Sequence, residues 1–182
     1  MPTGRSSGES RLSRLFTAIE AQEKPYSSAL RSGLPGANWE SHPHVTISHF
    51  GEVRPDARGE IQEALAEVTF ASFTLTPKAL GIFGERDAPA VVWVGFEHSE
   101  PLSSLFAQLN EIRSAFNETP DRHEFNPHLT LARTSACAPE DVLSYVDRHA
   151  NLVLEPILVE AFSLFESIDL EYHRIDRFSA ER

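Results

Sequence analysis

The sequence predicts an α+β domain, and three observations carry that expectation. Strand-like and helix-like segments are interleaved along the chain, and no linker divides it into independent halves. The apolar share of 41% and the charged share of 24% are those of a chain that buries a core. A length of 182 residues suits one domain, or two small lobes sharing a core. Residues Met1 to Ser10 are polar and rich in glycine and serine, so they read as a flexible leader, and the domain itself as residues 11–182.

The elements follow in order. Leu12 to Ala21, with Leu15, Phe16, Ala18 and Ile19, reads as a buried strand. Tyr26 to Arg31 reads as a short helix hemmed in by Pro25, Gly33, Pro35 and Gly36. Pro43 to Gly51 is β-rich, alternating and bounded by Pro and Gly, hence a strand. A helix capped by Asp56 then carries Ile61, Leu65 and Val68 on one face. Phe70 to Pro77 and Ala90 to Phe96 read as strands separated by a Gly-rich connection. The strongest helical pattern opens at Ser99-Glu100-Pro101, and Leu102, Leu105, Phe106, Leu109, Ile112 and Phe116 form its apolar stripe. Pro127 to Arg133 is a strand. Pro139 opens a helix that carries Val142, Leu143 and Val146. Two strand-like runs, Pro156 to Phe165 and Tyr172 to Phe178, close the chain.

Charge and cysteine usage narrow the function. With 16 Lys plus Arg against 27 Asp plus Glu, the net charge is -11. Broad affinity for a nucleic-acid backbone requires cations to neutralise phosphates, so any such role is expected at a small local site. A single cysteine, Cys137, excludes an intramolecular disulfide and multi-cysteine zinc sites, and fits a reducing, cytoplasmic compartment. The longest apolar stretches, such as Ala90 to Phe96, fall far short of the roughly 20 residues of a membrane span.

One short motif occurs twice. His44-Val45-Thr46-Ile47 and His128-Leu129-Thr130-Leu131 share the pattern His, apolar, Thr, apolar, which chance would produce only roughly 0.1 times in a chain of this composition. Side chains alternate along a strand, so His and Thr share one face while the apolar pair anchors the other. Two such strands facing one cleft supply two imidazoles and two hydroxyls. One imidazole can take a proton from water while the other, protonated, donates to a departing alkoxide. The hydroxyls can donate to the non-bridging oxygens of a phosphodiester. This chemistry needs neither metal nor cofactor. His42 and His44 share a strand face as metal ligands would, but no nearby carboxylate completes a set, and His49 is expected to point the other way.

These strands, with Phe50-Gly51-Glu52-Val53 after the first and Phe125-Asn126-Pro127 before the second, resemble the 2H phosphoesterase superfamily. Within it the likeness is to the RNA 2′,3′-cyclic phosphodiesterases, historically called 2′-5′ RNA ligases. Arg14 to Ile19, Gly81-Ile82-Phe83 and Val91 to Gly95 also resemble that family. The resemblance implies a bilobal fold in which each lobe brings one motif strand to a central cleft. It implies metal-independent opening of a terminal ribose 2′,3′-cyclic phosphate to a 2′-phosphomonoester, on RNA ends or small cyclic nucleotides. Carried over, His44 is the general acid, His128 the general base, and Thr46 and Thr130 hold the phosphate. Arg133 matches an arginine of the second motif, though strict alternation sets it on the face opposite His128. Ser48-His49 departs from the basic and aliphatic pair more usual in the family.

Phe16 and Phe50 are candidate base-stacking residues near the cleft. Trp93 is expected to be packed, and His98, His123, His149 and His173 to be solvated. Neither an obligate protein partner nor an oligomer is expected. Two rival readings remain: an esterase of another small cyclic phosphate, such as one of ADP-ribose, and a non-catalytic nucleotide- or RNA-binding module.

Overall fold

A computed structural model describes residues 13–21, 30, 31, 33–54, 56–117, 125–151, 153–168 and 171–181. The leader, and most of the short helix expected at Tyr26 to Arg31, lie outside these residues. The described chain forms ten strands and three helices. In order these are β1 (Ser13–Glu20), β2 (Asn38–Trp39), β3 (His44–Val53), α1 (Ala57–Ala66), β4 (Phe73–Leu75), β5 (Pro77–Glu85) and β6 (Ala88–Phe96). There follow α2 (Glu100–Phe116), β7 (His128–Arg133), α3 (Pro139–Arg148), β8 (Ile157–Val159), β9 (Ala161–Ile168) and β10 (Glu171–Ser179). The α+β class is as the sequence predicts.

Eight strands form one sheet in the order β10-β9-β1-β3-β7-β6-β5, with β2 also against β7. Every named strand pair in it is antiparallel. The sheet divides into two lobes, β10-β9-β1-β3 and β7-β6-β5, and these meet where Val45 of β3 opposes Leu129 of β7. Beyond that point the edge of β7 is taken over by β2, through Asn38 opposite Arg133 and Trp39 opposite Ala132. The Glu40 N–H donates to the Leu131 carbonyl at 2.8 Å. Between β2 and β3, Ser41-His42-Pro43 steps out of the ladder, in keeping with a proline that has no N–H to give.

The core lies on the helix side of the sheet. It joins Leu15, Ile19, Val45, Ile47, Leu129 and Leu131 from the strands to Ile61, Leu65, Leu102, Leu105, Leu109 and Val142 from the helices. Helix α2 starts as its sequence demands: Ser99 Oγ accepts from the Leu102 N–H at 3.3 Å and Pro101 sits in the first turn. Asp56 occupies the N-cap position of α1 but makes no side-chain capping bond, and it lies 3.5 Å from Arg54.

Two expectations change. The Gly-rich connection after Pro77 is a strand, β5, hairpinned to β6 across Arg86-Asp87. Its glycines are packing devices, not loop markers. A Cβ at Gly81 would stand 2.3 Å from the Trp93 ring, and Gly84 has φ +98 at a register shift beside the turn. The run Pro156 to Phe165 is two strands parted by Glu160: β8 pairs with β4 in a separate two-stranded sheet, and β9 joins the main one. The sequence pattern marks no element at Asn38–Trp39, which forms β2.

Tyr145, fully buried on α3, donates its hydroxyl to the Leu30 carbonyl at 2.6 Å. Burial pushes its pKa up to about 12, so it remains a donor. Tyr145→Phe leaves that carbonyl without its donor and should cost about 1–3 kcal/mol, read as a lower denaturant midpoint at unchanged m-value. An unchanged midpoint would show that water replaces the bond.

Candidate active site

The two motif strands run antiparallel with Val45 opposite Leu129. One step along the ladder in either direction sets His44 against Thr130 and Thr46 against His128, on the face away from the core. The repetition extends beyond the motif. In both His44–His49 and His128–Arg133 the side chains run half-buried, buried, half-buried, buried, buried, exposed. The doubled buried position is a β-bulge in each strand. Thr17 and Ala18 of β1 face Ser48 and Thr46, so Ile47 is the extra residue of β3; Val92 and Trp93 of β6 face Ala132 and Thr130, so Leu131 is the extra residue of β7.

The bulges correct two expectations that rest on strict alternation. Arg133 turns to the side of His128 and lines the same cavity as Thr130, and His49 turns to the side of His44. Phe16 pairs with His49 across the ladder, and its ring centroid lies 5.9 Å from that of His49 and 5.6 Å from that of His44. Ser48 faces inward, with a buried hydroxyl that has no partner among the described residues.

Each motif histidine is held in the same way. His44 Nδ1 lies 2.7 Å from the His42 carbonyl and His128 Nδ1 lies 2.8 Å from the Asn126 carbonyl. A carbonyl only accepts, so in both rings Nδ1 carries a proton and donates it, leaving Nε2 for proton transfer. The accepting residue stands two positions earlier, with Pro43 or Pro127 between. A residue before proline is restricted to extended backbone, which fixes where its carbonyl points. The Pro-His pairs stand in the sequence, but nothing in residue type alone shows that the preceding carbonyl anchors the ring.

Aromatic rings complete the surroundings. His44 meets Tyr172 edge-on at 5.2 Å, with Phe16 at 5.6 Å and Phe165 at 6.4 Å. His128 meets Phe83 edge-on at 4.8 Å and Trp93 at 6.0 Å. Trp93 is thus on the cleft face, stacked on Phe83, with its indole laid over Gly81 and Gly95. Phe16 lies beneath the site at 5% exposure, whereas Phe50 is at 0% in the core and offers no face to a base. His149 is half-buried against Tyr145, not simply solvated as expected. His98 and His173 pair with Glu100 and Glu171, and His123 lies outside the described residues.

A cavity of about 590 Å³ opens beside the motif strands, lined among others by Thr130, Arg133, Trp39, His42 and Tyr172. A smaller one of about 190 Å³ adjoins His44, between Phe16, Phe165, Tyr172 and Pro43. Burial is the main cause that holds the His44 pKa below its ordinary value. The nearby His128 and His42 act in the same direction, while the His42 carbonyl and Glu40 oppose it. No group of three or more His, Cys, Asp or Glu side chains among the described residues could hold a metal ion. No described helix is long and apolar enough to cross a membrane.

An antiparallel α+β sheet in two lobes, each offering His and Thr from a bulged strand at their junction, is the architecture of a 2H phosphoesterase. The model of the 2′-5′ RNA ligase superfamily matches residues 13–169, and the chain belongs to that family. It is 30% identical over 163 residues to an RNA 2′,3′-cyclic phosphodiesterase of Archaeoglobus fulgidus, covering 85% of this chain and 91% of that protein. It is 35% identical over 112 residues to a protein of the same name from Geobacillus stearothermophilus. That match covers 59% of this chain and 36% of the relative, so the chain spans only about a third of that longer protein. The fold is that of the crystal structure of Escherichia coli LigT with 3′-AMP. The TM-score is 0.73 at 20% identity, over 94% of this chain and all of that one.

The lowered His44 pKa has a consequence for stability. Below its ordinary value of 6.5 the unfolded chain binds the proton before the folded protein does. The stability tied to neutral His44 is therefore full above about 6.5 and is lost as pH falls through the lowered folded value. Urea midpoints of the wild type should drop relative to those of His44→Gln as pH falls from about 7.5 to about 5. A difference that stays flat with pH would contradict the assignment.

Proposed function

We propose that the protein is a phosphodiesterase that opens a terminal ribose 2′,3′-cyclic phosphate, on an RNA end or a small nucleotide, to a 2′-phosphomonoester. The observation that carries this reading is the pair of identically tethered imidazoles set against two threonines across the junction. The family and the names of its relatives point the same way.

In the proposed reaction His128 Nε2 takes a proton from water as the water oxygen attacks phosphorus. The bond from phosphorus to the 3′ oxygen breaks, and His44 Nε2 gives its proton to that oxygen. Thr46 and Thr130 donate to the non-bridging oxygens, and Arg133, which has no described ion-pair partner, adds a cation from the same wall as Thr130. Burial favours neutral His44 in the free protein, whereas the acid must be charged when reaction begins. The anionic phosphate supplies the missing countercharge. Neither step needs a metal or cofactor. The protein acts in this reading as a monomer, and its single cysteine fits a cytoplasmic setting.

His44→Ala and His128→Ala should each lower kcat about 10²–10⁴-fold on a nucleoside 2′,3′-cyclic phosphate while the circular dichroism spectrum is unchanged. Excess EDTA should leave the wild-type rate intact. Either variant retaining near-wild-type turnover would remove its histidine from the mechanism.

The pH profile carries a second expectation. Loss of the His44 proton sets the basic limb, so kcat/KM, which reports the free enzyme, should fall at lower pH than kcat, which reports the substrate complex. Coincident basic limbs would remove His44 as the acid. Contact with a single phosphate also predicts a log–log salt slope no steeper than about -1.

A further inference from the structure

The carbonyl that holds His44 belongs to His42, in the step between β2 and β3, and that step is fixed from several sides. At its start the Glu40 N–H donates to the Leu131 carbonyl of β7 at 2.8 Å, and the Glu40 carbonyl accepts from Arg31 at 2.7 Å. At its end the Pro43 carbonyl accepts from the Ala21 N–H, just past β1, at 3.0 Å. Between these ties the Glu40 carboxylate reaches two residues ahead, and its Oε1 accepts the His42 N–H at 3.2 Å. Pro43 restricts His42 to extended backbone, so the carboxylate fixes the N–H side of His42 and the proline fixes the carbonyl side. The carbonyl so directed receives His44 Nδ1 at 2.7 Å.

The same carboxylate acts on the ring through space. Charged and titratable groups reach His44 from each strand packed against it. Glu20, its ladder partner on β1, is turned to Arg174 of β10 at 3.0 Å and to Ser163 of β9 at 2.7 Å. Tyr172 of β10 meets the ring edge-on, His49 stands on the same face of β3 across Phe16, and β7 brings His128 and Arg133. His42, whose Nδ1 lies 2.9 Å from Ser41 Oγ, and His128 oppose a positive charge on His44, whereas Glu40 favours one. Burial outweighs that attraction, so the neutral ring prevails, but less completely than it would without Glu40.

We propose that Glu40 is a positioning residue of this reaction: it aims the carbonyl that orients His44 and sets a negative charge near the ring. This role rests on the phosphodiesterase reading and adds to it a residue outside the two motifs. Because the carboxylate binds the backbone and not the imidazole, Nδ1 stays on a neutral carbonyl and Nε2 stays free for proton transfer. The charge still tips the ring toward its protonated form.

Glu40→Gln keeps an oxygen for the His42 N–H and removes the charge, whereas Glu40→Ala removes both. In isotope-labelled protein, the imidazole nitrogen signals of His44 are identified in NMR spectra by their loss in His44→Gln. They should titrate at lower pH in Glu40→Gln than in the wild type, with the Nδ1-protonated tautomer kept. In Glu40→Ala the tautomers should also become mixed. On a nucleoside 2′,3′-cyclic phosphate, Glu40→Gln should match the wild-type kcat/KM at the acidic end of the profile. On the basic side it should fall about two- to fivefold lower, as the loss of one charge across partly solvated space gives. Glu40→Ala should lose about tenfold or more in kcat across the profile, because the ring is no longer held in line.

A His44 titration unmoved in Glu40→Gln overturns the electrostatic part, and a wild-type tautomer and kcat in Glu40→Ala overturn the positioning part. Equal losses in both variants at every pH, with the titration unmoved, would reduce Glu40 to a brace of the fold. Where Glu40→Ala does not fold, the titration of Glu40→Gln decides, since that variant keeps the bond and drops the charge. A wild type that turns over no cyclic phosphate overturns the phosphodiesterase reading. The titrations need no substrate, so they separate that failure from a failure at Glu40.

Discussion

The site depends on one residue pair, Val45 facing Leu129 at the seam of the two lobes. Both are fully buried, so the seam is set by the core and not by the polar groups it displays. Because side chains alternate with a period of two, a slip of one residue would bury a histidine and a threonine and expose two aliphatic side chains. Burial of Val45 and Leu129 thus enforces the register that brings the imidazoles together. The chemistry sits on the rigid centre of the sheet and not on loops, and its exactness comes from hydrophobic packing behind it.

Facing imidazoles carry a constraint of their own. Two charged rings in one partly buried cleft repel, and among the described residues no carboxylate is hydrogen-bonded to either. Carbonyl anchors at Nδ1 orient each ring without supplying a full negative charge. The resting site accordingly favours neutral His44, and the phosphate of a substrate becomes the countercharge that a carboxylate provides elsewhere.

The centre of this site was legible because its signal is local. His-x-Thr-x twice, with apolar residues between, states both the strand and the face it presents. What escaped depends on the partner strand. A bulge has no residue signature of its own, so Arg133 and His49 were assigned by alternation to the wrong face. Gly81 looked like a loop marker because its role exists only beneath the Trp93 ring of the next strand. Tyr172 lies well over a hundred residues from His44 in sequence, and no periodicity joins them. Fold class rests on summed patterns and was read correctly, whereas the run from Pro156 to Phe165 hid a change of sheet at Glu160 that costs only a bend.

The bare backbone at Gly81 also bears on how such a chain can drift over generations. Any replacement there adds at least a Cβ, and the Trp93 ring already occupies that volume. A lone change at either position leaves a collision or a void in the floor under His128. Lineages that vary this corner must therefore alter both positions together or neither, and the pair should be inherited as a unit.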